Sequence, residues 1–124
     1  MFDQDLAQFL LDVFLGQFLE PPLPESVGRF LSTDPPELQT TYESACEILE
    51  GNPSNIQALF ERGVVCRTKG WYLQALADFI HVIRIDPRNA QAWLLSSEVL
   101  DNLGDYDKAR EFRQKAVQLN PKTN

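Results

Sequence analysis

The side chains that could carry chemistry are few and dispersed. His81 is the one histidine and stands between Ile80 and Val82; Cys46 and Cys66 fall at apolar positions of helix-patterned stretches, with no C-x-x-C or Cys/His spacing. An imidazole acting as base or metal ligand needs a nucleophile or further ligands beside it. The sequence offers no second histidine, no nucleophile elbow and no phosphate-cradling glycine loop. Gly104-Asp105 reads as a turn and a helix cap, and the carboxylates are spread as on ordinary helix surfaces. The pattern predicts no enzyme, no metal and no cofactor. His81 is expected in an exposed or half-buried structural role, and the cysteines as buried, reduced thiols, which makes the cytoplasm the default compartment.

With catalysis set aside, the elements that remain are those that present a surface. Residues 55–121 read as one 34-residue unit written twice: Ala58 meets Ala92, Gly70 meets Gly104, Tyr72 meets Tyr106, Ala75 meets Ala109, Ile85 meets Leu119 and Pro87 meets Pro121. Each copy has two apolar-periodic stretches with a glycine between them, which can leave the first helix in a left-handed conformation at little cost. Small residues, Gly63 and Ser97 opposite Ala75 and Ala109, let the helices of a hairpin approach. Tyr72, Tyr106, Phe79 and Trp93 supply bulk between hairpins, and a proline near each unit's end stops the second helix. Ser54 or Asn55 is expected to cap the first of these helices and Asp105 the last.

This pattern resembles the tetratricopeptide repeat, a helix-turn-helix unit that stacks into a solenoid. The resemblance spans a little over half of the chain. It implies a concave surface lined by the first helix of each repeat, and hence protein–protein recognition. Carried over position by position, the groove-facing residues are Gln57, Phe60, Val64, Arg67 and Thr68, then Gln91, Leu94, Glu98, Asp101 and Asn102, with Leu95 beside them. Family members that grip chaperone C-termini use lysine and asparagine here. Phe60, Val64, Leu94 and Glu98 stand at the matching places, and that recognition is not expected. The family pattern also fails at Arg62 and Ser96, where leucine is usual, and at Ser97, where glycine is usual, which leaves the hairpin spacing open. Trp71 occupies a turn position normally polar, either as an exposed contact or covering a helix end. Arg113 replaces Phe79 in the second copy, and with Arg110 and Lys115 it would give a terminal unit its polar outer face.

Before the repeats, Asp34, Pro35 and Glu37 look like a helix start, with a capping acid, a first-turn proline and a glutamate able to reach back. Leu38, Tyr42, Ala45, Cys46 and Leu49 follow at helical spacing, and Gly51 with Pro53 closes the helix. Pro53 lies 34 residues before Pro87. The helix is therefore readable as the second half of a degenerate repeat, with a short helical piece at residues 25–31 as a remnant of the first, or alternatively as an unrelated packing helix. Pro21, Pro22 and Pro24 make a stiff connector upstream.

Residues 2–19 wind into a helix with Leu6, Phe9, Leu10, Val13 and Phe14 on an apolar arc that covers about half of the circumference, wider than the ~100 degrees an ordinary surface helix buries. Its polar face is acidic, which disfavours a membrane surface, and the run is too interrupted to span a bilayer. Packing on protein remains, whether on the chain's own repeats, a second copy or a partner. The net charge of −7 argues against nucleic acid. Residues 1–50 hold ten acids and one base, Arg29, whereas residues 51–124 hold eight acids and ten bases.

The sequence thus predicts an all-α tetratricopeptide-like solenoid of helical hairpins. An amphipathic N-terminal helix (residues 1–20) precedes a proline-rich connector with a degenerate repeat helix (21–54) and two repeats (55–124). The expected function is that of an adaptor or assembly factor: the groove binds a partner segment, and the N-terminal helix mediates self-association into a homodimer. A dedicated chaperone for one apolar client, and an autoinhibited module whose N-terminal helix fills its own groove, remain open beside it.

Overall fold

In the computed structural model the described residues are 30–120. Five helices follow one another: α1 (Pro36–Gly51), α2 (Ile56–Thr68), α3 (Tyr72–Ile85), α4 (Ala90–Leu103) and α5 (Tyr106–Leu119). Each packs chiefly on its neighbours in sequence, as a stack of antiparallel hairpins requires. The expected helix at residues 2–19 lies outside the described residues, as does the expected piece at 25–31 up to residue 29; Phe30 and Leu31 are not helical.

The 34-residue period fixes backbone detail. Asn55 and Asn89 cap α2 and α4 alike, each side chain accepting the N–H three residues on, from Ala58 at 2.9 Å and Ala92 at 3.0 Å. Asp105 caps α5 through the N–H of Lys108 at 3.2 Å. Gly70 and Gly104 both have positive φ, 81° and 88°. Behind them the N–H of Trp71 reaches Cys66 O at 2.8 Å and that of Asp105 reaches Leu100 O at 3.0 Å, so both hairpins close through the same bond.

The link out of α1 repeats the link out of α3. Asn52 (φ −146°, ψ 86°) and Asp86 (φ −136°, ψ 87°) leave their helices in one conformation, which Asn120 (φ −143°, ψ 87°) adopts again after α5. The side chains of Asn52 and Asp86 each accept the N–H two residues ahead, and their carbonyls accept from Asn55 and Asn89 at 3.1 Å. α1 thus delivers the chain to α2 as α3 delivers it to α4.

The start of α1 differs from expectation. The helix begins at Pro36 with Pro35 as its cap residue and no side-chain cap bond. Asp34 instead binds the Lys69 ammonium at the far end of α2. A buried-edge ion pair to a full charge outcompetes a cap bond to a backbone N–H.

Ala45, Leu59, Phe79, Ile80, Ile83, Trp93, Val99, Leu100 and Phe112 form the core that runs through the stack. A Cβ on Gly63 would lie 2.6 Å from Cε1 of Phe79, which explains why a glycine stands where α2 crosses α3. Ser97, its counterpart, is fully buried and donates its hydroxyl to Leu94 O at 2.6 Å. Tyr106 is 65% exposed although its counterpart Tyr72 is half-buried: Tyr72 lies inside the stack, whereas Tyr106 begins the last described helix.

Candidate functional site

A concave groove of about 500 Å³ opens between α1, α2 and α4, lined by Leu38, Thr41, Phe60, Glu61, Val64, Val65, Gln91 and Leu95. Helical spacing places its floor: Phe60 and Val64 are one turn apart on α2, Gln91 and Leu95 one turn apart on α4, and Leu38 and Thr41 face them from α1. The lining is mostly hydrocarbon. Val64 is 44% exposed, and Phe60 is half-buried with its ring tilted against Phe79 at 6.1 Å.

Of the residues that sequence reasoning set toward the concave face, Phe60, Val64, Gln91 and Leu95 meet in this groove. The rest are not among its lining residues. Gln57 donates to Glu61 at 3.0 Å, and Arg67 bridges to Glu98 across α2 and α4 at 2.9 Å. Asp101 holds Arg113 of α5 at 2.6 Å. Thr68 Oγ1 donates back to Val64 O at 2.9 Å, Asn102 is exposed and Leu94 is half-buried. Leu38, Thr41, Glu61 and Val65 were missed. The α1 pair carries no repeat signature, and Glu61 and Val65 lie one position past predicted neighbours.

A polar cluster occupies the packing of α1, α2 and α3. Arg62 grips Asp78 with two bonds, Nε to Oδ2 at 3.0 Å and Nη2 to Oδ1 at 2.9 Å, and its Nη1 approaches Cys46 Sγ at 3.8 Å. Burial pushes the Asp78 carboxyl upward, and the Arg62 fork pulls against it. Cys66 is buried, and burial raises its thiol from 9.0 to about 12. His81 is half-buried; desolvation, then the Arg84 charge, lower its imidazole. His81 shares a shallow hollow of about 410 Å³ with Cys46, Glu50, Leu59 and Arg62. Among the described residues no three His, Cys, Asp or Glu side chains converge on a metal-sized site.

Trp71, open to either reading in sequence, is buried at 7%, meeting Tyr42 edge-on at 5.9 Å with Lys69 Nζ 5.4 Å above its ring. It covers the α1/α2 junction rather than offering a contact.

The tetratricopeptide repeat family model matches residues 56–89 and 90–123, the two hairpins just described. The chain belongs to the tetratricopeptide repeat family. Among solved structures it is similar to one described as the crystal structure of MamA, at 21% identity and a TM-score of 0.66, over 70% of this chain. It spans about half, 51%, of that protein's length, and the likeness is one of fold. No curated protein matches the sequence. Tetratricopeptide repeat proteins are in general non-enzymatic scaffolds for protein–protein interaction, and no described helix here is long and apolar enough to cross a membrane.

Proposed function

We propose that this tetratricopeptide repeat protein is an adaptor or assembly factor that binds a partner protein segment in the groove between α1, α2 and α4. One observation carries the reading: Leu38, Phe60, Val64 and Leu95 leave hydrocarbon facing solvent in a concavity, on the face where stacked hairpins present their first helices. Burying such a surface against a complementary segment is favourable by about 25 cal/mol per Å². Arg67 and Glu98, already joined across the groove's helices, brace α2 against α4, and Gln57, bonded to Glu61 of the lining, stands at its margin. Residues 2–19, through Leu6, Phe9, Leu10, Val13 and Phe14, carry the self-association that their apolar arc suggests. The reduced cysteines suit the cytoplasm.

The test compares proteins retained by the full chain with those retained by a Val64→Asp, Leu95→Asp variant. A specific partner lost from the double variant, with its circular dichroism and melting unchanged, supports the reading. A partner retained equally by both contradicts it.

A further inference from the structure

The groove's charge is as informative as its shape. Of the acids on α1, α2 and α4, Glu61 lines the groove, Glu50 lines the separate hollow beside His81, and Glu98 and Asp101 are paired with Arg67 and Arg113; the same helices carry two bases, Arg62 and Arg67. Both arginines are engaged, Arg62 by Asp78 and Arg67 by Glu98. Lys69, at the end of α2, is held by Asp34. Glu61, by contrast, lines the groove and receives only the neutral amide of Gln57, at 3.0 Å. An apolar floor is therefore edged by a carboxylate that no cation answers among the described residues.

Backbone chemistry narrows the occupant further. The floor is made of side chains from three helices, and past the first turn of each the main-chain groups are bonded within the helix. An extended segment laid there would bury N–H and C=O groups against hydrocarbon, at roughly 1–3 kcal/mol for each one left unpaired. A helix satisfies its own. The 13 residues of α2 give a face of about 20 Å, which matches a guest of three to four turns.

On the reading that this groove is the binding surface, we infer that its partner is a short amphipathic helix whose apolar stripe is flanked by lysine or arginine, one of which meets Glu61. The chain's own residues 2–19 have the wrong charge for this place: they hold Asp3, Asp5 and Asp12 and no base. Like charges meeting in a groove of lowered dielectric oppose binding.

The probe is a pair of fluorescein-labelled model helices of equal length, with leucines at i, i+3, i+4 and i+7 and either lysine or glutamate at every flanking position. They are titrated with the full chain and followed by anisotropy. The lysine helix binds roughly tenfold or more tighter than the glutamate helix, a gap of about 1.4 kcal/mol. Raised salt and Glu61→Gln each narrow that gap. If both helices bind equally and Val64→Asp abolishes both, the groove stands and the charge inference is overturned. If neither binds, or Val64→Asp changes nothing, the groove reading falls and takes the inference with it. Tighter binding of a synthetic peptide of residues 2–19 than of the lysine helix overturns the inference in favour of the chain's own segment.

Discussion

Arg62 and Asp78 meet through two parallel hydrogen bonds of 3.0 and 2.9 Å, and the second repeat replaces them, position for position, with Ser96 and Phe112. One repeat fills the space with an ion pair and the other with a ring, Phe112 standing edge-on to Trp93 at 4.8 Å. Both solutions bury the same site: Asp78 and Phe112 are each nearly inaccessible.

Removing one partner strands the other. Arg62→Leu leaves the Asp78 carboxylate without its cation and is expected to cost about 2–4 kcal/mol, the lower figure because part of Arg62 reaches solvent. Grafting the second repeat's solution, Arg62→Ser with Asp78→Phe, is expected to lose clearly less than the sum of the two single changes. Urea unfolding of the four proteins measures the cycle, and additive losses would count against it.

Gly63 is needed for a different reason. Its missing Cβ is occupied by the Phe79 ring, and Gly63→Ala forces that ring or α2 to move, costing about 1–3 kcal/mol. Ser97→Ala is the control. Its counterpart of Phe79 is Arg113, whose side chain turns away to Asp101, and the loss there should stay near the ~1 kcal/mol of one hydrogen bond. Equal losses at the two sites in thermal melts would contradict this account of the hairpin spacing.

These two contacts show what the sequence could and could not reveal. Asn55, Asn89, Gly70, Gly104 and the prolines act within a few residues of themselves, and their 34-residue recurrence made the hairpins and turns legible. The Arg62–Asp78 pair spans 16 residues and two helices; its visible trace was an arginine where leucine is usual, opposite an aspartate in the apolar run of α3. Asp34 looked like a cap because capping is local, while Lys69, which claims it, lies 35 residues on. Trp71 was ambiguous because its cover comes from Tyr42 of α1, outside the repeat. For the same reason the groove was half legible: α2 and α4 follow the period, but Leu38 and Thr41 belong to α1, which lies before the two matched repeats.

The Cys66 thiol gives stability a slope at high pH. Burial raises it from 9.0 to about 12, so the folded chain holds its proton where the unfolded chain releases it. The contribution is fully present below pH 9 and is lost as pH rises from about 9 toward 12. Tyr42, raised from 10.0 to about 12 chiefly by burial, adds to the loss in the upper part of that window. The urea midpoint should therefore fall above pH 9, and fall less steeply in Cys66→Ala. An unchanged slope in that variant would remove Cys66 as the cause.

Self-association is tested at residues 2–19. Charge placed on the apolar arc, Phe9→Asp with Val13→Asp, should turn a dimer into a soluble monomer by light scattering behind a sizing column. An identical mass before and after assigns the arc to another task.

The central claim is that the groove between α1, α2 and α4 is where this protein meets its partner. The most direct measurement is a methyl NMR titration of the full chain with the lysine-flanked leucine helix. The account predicts that the methyls of Leu38, Val64, Val65 and Leu95 shift together and saturate at one stoichiometry, while those of Ile48 and Val117 stay still. Shifts concentrated at Ile48 or Val117, with the groove methyls unmoved, would contradict it.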